Sequence, residues 1–89
     1  MKQNPAHDGA LKFLRTEVAT ATTLVSLAET AFHPEKISRN WKNAKKAVAA
    51  IRHFLGRADL TGAESEEIHK DVEGLERRLK DLEPIADQP

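Results

Sequence analysis

The sequence predicts an all-α protein, most simply a three-helix antiparallel bundle with up-down-up topology. Apolar residues recur at alternating intervals of three and four in three separate segments, which places each set on one face of a helix. Proline and glycine residues separate these segments, and no segment alternates as a half-buried strand would. A helical hairpin completed by dimerisation is the alternative architecture that the same pattern allows.

The first predicted helix spans about residues 8–32 and is the most apolar of the three. Its main apolar seam is Leu11, Leu14, Val18, Ala21, Val25, Ala28 and Phe32. A second apolar row lies beside this seam and consists of Phe13, Leu24, Leu27 and Ala31. Together the two rows cover about half of the helix circumference at about 100° per residue.

The second predicted helix spans about residues 35–57 and begins after the segment "FHPEK". Pro34 suits the first turn, where its missing N–H has no intrahelical partner to lose. His33 precedes it and is predicted to cap the helix. The seam of this helix is Ile37, Trp41, Ala44, Val48, Ile51, Leu55 and Ala58. Trp41 is the only tryptophan of the chain and is predicted to lie in the core.

The third predicted helix spans about residues 62–83 and follows the segment "LGRADLTGAE". Thr61 and Glu64 have the spacing of a capping box, and Pro84 is predicted to end the helix. The seam is Ile68, Val72, Leu75, Leu79 and Leu82. This apolar stripe is only about 80° wide. The connections between the helices are short, so that neighbouring helices are expected to be antiparallel.

Length and composition indicate one ordered domain over residues 1–89, with flexible ends near 1–7 and 84–89. Leu, Ile, Val and Phe number 20 residues, and the net charge is zero, so neither low apolar content nor self-repulsion opposes folding. The absence of cysteine excludes disulfides and thiolate metal sites. The sequence shows no secretory signal and no apolar run long enough to span a membrane, so we expect a cytoplasmic protein without a membrane partner.

A basic segment, "KISRNWKNAKKAVAAIRHFLGR", carries seven Lys or Arg residues and no acid. Opposite the apolar seam of helix 2 it presents Arg39, Lys42, Lys46 and Arg57. This face could contact phosphates, which defines an alternative function as an accessory nucleic-acid-binding protein. Residues 59–83 hold nine acidic and four basic residues, and a packed acidic helix would offset the positive field within about 8 Å. Nucleic acid is therefore the less favoured partner.

Catalytic and metal-binding motifs are weak in this sequence. Glu66 and His69 have the Glu-x-x-His spacing of helical di-iron carboxylate sites, but the chain has no second copy of the motif and its seams contain no carboxylate. A phosphate-binding loop and a nucleophile turn are both absent. We therefore predict that the protein is not an enzyme and that it has no metal site and no cofactor.

The leading functional hypothesis is a small non-catalytic helical module for protein–protein interaction or self-association. The second row of helix 1 exceeds what the narrow stripe of helix 3 can cover, and surplus apolar surface on a small protein indicates a partner. The predicted interface is that row: Phe13, Leu24, Leu27 and Ala31. The expected occupant is a second copy, giving a homodimer, or another helical protein.

Overall fold

A computed structural model describes residues 5–87 of the chain, and their side chains from residue 8 onward. Over this range the structure contains three α-helices and no strand: α1 (Pro5–Thr30), α2 (Pro34–Leu55) and α3 (Gly62–Ala86). The three helices pack against one another, which confirms the predicted all-α class. Of the ends predicted to be flexible, residues 1–4 and 88–89 lie outside the described range.

The directions of the helices follow from contacts between residues far apart in sequence. These contacts are Phe13–Phe54, Trp41–Leu79, Arg15–Glu67 and Glu29–Arg78. In the first two pairs, a residue in the first half of one helix contacts a residue near the end of the other, so α2 runs antiparallel to both α1 and α3. In the last two pairs, the residues occupy corresponding halves of their helices, so α1 and α3 are parallel. The result is the up-down-up bundle that the short connections predict, with extents of 52 × 18 × 17 Å.

The core follows the three predicted seams. It contains Leu14, Ala21, Val25, Ala28, Trp41, Ala44, Val48, Ile51, Leu55, Ile68, Val72, Leu75, Leu79 and Ala86. No polar or charged residue among those whose side chains are described is buried. Removal of this apolar surface from water is the main force that holds the helices together.

The turn between α1 and α2 removes Phe32 from the predicted core. Helix α1 ends at Thr30, and His33 adopts an extended conformation with φ −97° and ψ 128°. Pro34 causes this, because its ring disfavours helical geometry in the preceding residue. Phe32 therefore leaves the helical phase, and 94% of it is exposed. Its assignment to the seam of helix 1 was wrong.

The N-termini of α2 and α3 are capped differently. At α3 the predicted capping box is confirmed: the Glu64 amide donates to Thr61 Oγ1 at 3.1 Å, and the Thr61 amide donates to Glu64 Oε1 at 2.9 Å. At α2 His33 occupies the N-cap position, but its side chain makes no capping hydrogen bond. Its backbone carbonyl instead accepts from the Lys36 amide at 3.0 Å. The prediction for His33 therefore holds for its position and fails for its side chain.

Helix α3 continues through Pro84 to Ala86, three residues past the predicted end at 83. A helical proline removes the hydrogen bond to the carbonyl four residues earlier, which here belongs to Lys80. Lys80 is exposed, so that carbonyl lies on a side of the helix that water reaches. Ala86 is buried beyond the proline and holds the last turn against the bundle. Between residues 5 and 87, none of the helices combines the length and the apolarity that crossing a bilayer requires.

Candidate interaction surfaces

The predicted interface row of α1 is divided between the surface and the core. Phe13 and Leu27 are 42% and 49% exposed. Leu24 is partly buried and packs against the core, and Ala31 is half-buried just after the helix ends. Phe13 and Leu27 are 14 residues apart, or about 21 Å along the helix axis. The surface part of the row therefore has two apolar ends with a more polar centre.

Phe13 packs against α2. Its ring centroid lies 4.7 Å from that of Phe54, with an angle of 51° between the ring planes. Such tilted aromatic contacts stabilise by about 0.5–1.5 kcal/mol beyond the burial of area. Because α1 contacts α2 more extensively than it contacts α3, part of the width of its apolar stripe is used within the bundle. The apolar surface of α1 that is left over for a partner is thus smaller than the residue spacing alone indicates.

Two neighbouring rows form what we call the α1–α2 face. On α1 the row is Phe13, Glu17, Thr20, Leu24, Leu27 and Ala31. On α2 it is Asn43, Ala47, Ala50 and Phe54. Both rows keep the alternating spacing of three and four that places residues on one side of a helix. The half-buried Glu17 is the only charged residue in either row. In a chain with 28 charged residues out of 89, this face is nearly neutral.

Exposed apolar residues also occur at one end of the bundle. Phe32 lies in the α1–α2 turn, and Ile85, which is 53% exposed, lies in the last turn of α3. Because α1 and α3 are parallel, these two positions share an end. Neither residue was predicted to be exposed. The sequence signal in each case was a nearby proline: Pro34 lies two positions after Phe32, and Pro84 lies one position before Ile85.

The four basic residues predicted on the outer side of α2 are all exposed there. We call Arg39, Lys42, Lys46 and Arg57 the basic face. Within the described residues, none of the four forms an ion pair. Arg39, Lys42 and Lys46 lie about 140–180° around the helix from its core side at about 100° per residue, and Arg57 lies in the turn after the helix ends. Three of these residues therefore lie on one side of α2 and Arg57 lies just past its end, and their joint role as a binding face stays a prediction.

Two further basic residues of α2, Lys45 and Arg52, lie on the side that faces α3. Arg52 donates from Nε to Glu76 Oε2 at 2.8 Å and from Nη2 to Glu76 Oε1. This bidentate hydrogen bond lowers the pKa of the Glu76 carboxyl and raises the pKa of the Arg52 guanidinium. Lys45 places its Nζ 4.4 Å from the centroid of the Trp41 ring. Flanks of opposite sign therefore face each other across α2 and α3 at Arg52 and Glu76.

Ion pairs also connect α1 to α3. Arg78 donates from Nε to Glu29 Oε2 at 3.0 Å and from Nη2 to both Glu29 Oε1 and Ser26 Oγ. The hydrogen bond lowers the pKa of the Glu29 carboxyl and raises the pKa of the Arg78 guanidinium. Arg15 contacts Glu67 at 3.4 Å near the other end of the same pair of helices. Both ion pairs fasten α1 to α3, and the hydrogen bonds between Arg78 and Glu29 account for the altered pKa values of those two groups.

A shallow groove lies between α2 and α3, with a volume of about 350 Å³. Trp41, Val48 and Leu79 provide its apolar lining, and Lys45 and Lys80 contribute to its walls. Trp41 is only 4% exposed, as predicted, and its Nε1 donates to the Leu79 carbonyl at 2.9 Å. The indole N–H is therefore used within the fold, and two charged residues that line the groove, Arg52 and Glu76, are bound to each other.

Glu66 and His69 lie at the surface of α3 and contact their own helix. The Nδ1 atom of His69 lies 2.8 Å from the Ser65 carbonyl oxygen, and Glu66 lies 3.7 Å from Lys70. Among the described residues no three His, Asp or Glu side chains are grouped so that they could hold a metal. His53, in the last turn of α2, is exposed.

The threonine-rich run of α1 has its hydroxyl groups bound to the helix backbone. Thr22 donates to the Val18 carbonyl at 2.7 Å, and Thr23 donates to the Ala19 carbonyl at 3.0 Å. This pattern allows polar β-branched residues to lie within a helix.

No family model, curated protein or solved structure shows a significant match to the chain.

Proposed function

We propose that the protein is a small non-catalytic helical module that associates through the α1–α2 face. The observation that carries the proposal is the half-exposure of Phe13 and Leu27 on a face whose two rows hold a single charge. Exposed apolar surface of this kind is typical of interaction sites on small proteins. Thr20, Asn43 and Ala50 are small enough for a partner helix to approach closely.

The occupant that we favour is a second copy of the chain, with another helical protein as the broader class. A two-fold dimer places the same surface on both sides of the interface, so a nearly neutral face meets itself without like-charge repulsion. The chain holds 14 basic and 14 acidic residues, and net charge therefore raises no barrier between two copies.

The size of the α1–α2 face suits such a dimer. Helix α1 has 26 residues, which corresponds to a length of about 39 Å. The bundle is 18 Å wide. The projected area is therefore about 700 Å², close to the about 800 Å² that each partner buries in a standard interface. Glu17 would act as the one charged residue of these two rows in a helical interface, and such a residue fixes register at a cost in stability.

Two glutamate substitutions with similar starting exposure test this proposal. Leu27→Glu introduces a carboxylate into the α1–α2 face, whereas Ile85→Glu introduces the same charge at the end of the bundle. Leu27 and Ile85 are 49% and 53% exposed, so neither substitution removes a fully buried side chain. We expect Leu27→Glu to run as a folded monomer in size-exclusion chromatography with light scattering. The Ile85→Glu control should keep the mass of the wild type.

Circular dichroism identifies the cause of any change in mass. A Leu27→Glu monomer with the helical signal of the wild type supports the α1–α2 face. Equal dissociation of the two variants would contradict the assignment to that face, because the control changes charge and hydropathy to the same extent. A Leu27→Glu variant that keeps the wild-type mass would also contradict it.

A further inference from the structure

The basic face of α2 and its C-terminal end is a set of four positive charges without acidic partners among the described residues. Arg39, Lys42, Lys46 and Arg57 are exposed and form no ion pair with any described residue. Between Lys36 and Arg57 the chain contains no acidic residue, so no carboxylate of α2 itself lies among them. Along the chain, the nearest acids are Glu35, one turn before Arg39, and Asp59, two residues after Arg57.

Acidic residues of α3 do not offset this charge. The one carboxylate of α3 that pairs with α2 is Glu76, and it is bound to Arg52 on the flank between the two helices. The basic face points away from the core, so α2 itself separates it from α3. The bundle is 18 Å and 17 Å across, which is about twice the screening length of about 8 Å at physiological salt. A local positive field therefore persists on a protein of zero net charge.

We propose that this basic face binds the phosphate backbone of duplex nucleic acid without sequence preference. From Arg39 to Arg57 the residues cover about 27 Å at 1.5 Å per residue, or about eight base pairs of duplex. The face is straight because it lies along one helix and its end. Lys and Arg at such positions displace counterions from phosphates, which is the main source of non-specific affinity.

The same face argues against two other polyanionic partners. An anionic membrane requires large apolar side chains that insert beside the charges, and the residues interleaved with this face, which include Ala49, Ala50 and His53, provide none. Single strands require exposed aromatic residues for base stacking. Of the aromatic residues in α2, Trp41 is buried and Phe54 is half-buried against Phe13. Phosphates of a duplex match the chemistry of the face without either feature.

A pair of matched double variants tests the proposal with a fluorescent DNA duplex of about 20 base pairs, longer than the about eight that the face covers. Lys42→Ala with Lys46→Ala removes two charges from the basic face. Lys70→Ala with Arg77→Ala removes two charges from the exposed side of α3 and changes the net charge equally. All four residues are exposed helix positions, where alanine is well tolerated.

For the wild type with four phosphate contacts, we expect log affinity to fall with log salt at a slope of about −3.6. Between 50 and 200 mM salt this corresponds to a loss of about 150-fold in affinity. The α2 variant should bind more weakly, with its slope reduced to about −1.8, and the α3 variant should behave as the wild type.

Three results would overturn the proposal. The first is no change in fluorescence anisotropy at low salt when the wild type is added. The second is an equal loss in the two double variants, which would assign the binding to net charge. The third is wild-type binding to vesicles containing an anionic lipid that is tighter than binding to the duplex. The proposal is independent of self-association. The mass of the variant with Lys42→Ala and Lys46→Ala, measured separately, shows whether the α1–α2 face still associates.

Discussion

Replacement of Trp41 by alanine is the most severe single test of the bundle. The indole is 4% exposed, and its Nε1 donates to the Leu79 carbonyl at 2.9 Å, so the residue ties α2 to α3 by both packing and a hydrogen bond. A tryptophan of about 200 Å² contributes about 5 kcal/mol at about 25 cal/mol per Å². Measured truncations of this kind cost about 3–5 kcal/mol, against a total of about 4–13 kcal/mol for a domain of this length.

Trp41→Phe separates the two contributions. Phenylalanine keeps most of the buried ring but loses the hydrogen bond, whose net value is about 0.5–1.5 kcal/mol. The Leu79 carbonyl also faces the amide four residues later in α3, so it does not become an unpaired acceptor. We therefore expect Trp41→Phe to cost less than half as much as Trp41→Ala.

Chemical denaturation followed by circular dichroism measures both variants, with Phe32→Ala as the control. Phe32 is an aromatic residue of the same chain that is 94% exposed, and its removal should change stability by less than about 0.5 kcal/mol. Wild-type fluorescence adds a second readout because Trp41 is the only tryptophan. An emission spectrum typical of an indole in water would refute the packing of α2 described above. A cost for Trp41→Ala no larger than that for Phe32→Ala would refute it as well.

Two further predictions concern the ion pairs and the helix cap. The pKa values of Glu29 and Glu76 lie below their ordinary 4.5 in the folded protein, so these carboxylates stabilise the fold at neutral pH. This stabilisation is lost as the pH falls through the lowered pKa values of the two carboxyls. The double variant Glu29→Gln with Glu76→Gln should therefore make acid unfolding less steep, as measured by circular dichroism across pH. An unchanged acid profile would contradict the assignment. Thr61→Ala should cost about 0.5–2 kcal/mol in urea denaturation by removing half of the capping box, and Thr61→Ser should restore most of it. Equal stabilities of the two Thr61 variants would show that the box does not contribute.

The bundle was predictable because its apolar period is unbroken within each helix. The places where the prediction failed are the helix ends, where periodicity gives no information about where the chain leaves the helix. Phe32 continues the seam of α1 by spacing alone, but the restriction that Pro34 imposes on His33 ends the helix first. Pro84 was expected to end α3, yet its lost hydrogen bond falls on the solvent side and burial of Ala86 keeps the last turn helical.

The candidate surfaces were predictable only as faces of single helices. Spacing placed Arg39, Lys42 and Lys46 on one side of α2, and the structure keeps them there. It could not show that Phe13 would contact Phe54, because the pairing of side chains between helices depends on register and rotation. For the same reason, the sequence showed that one helix is basic and the next acidic, but it could not show which charges would pair. In the structure Arg52 pairs with Glu76, and the basic face has no partner among the described residues.

The mass of the wild-type protein in solution tests the central claim most directly. Sedimentation equilibrium over a series of concentrations up to the high micromolar range measures that mass without a label or a substitution. Association through the α1–α2 face predicts a weight-average mass that rises with concentration from the monomer value of 9.9 kDa towards twice that value. A mass that stays at 9.9 kDa across the whole series would contradict self-association.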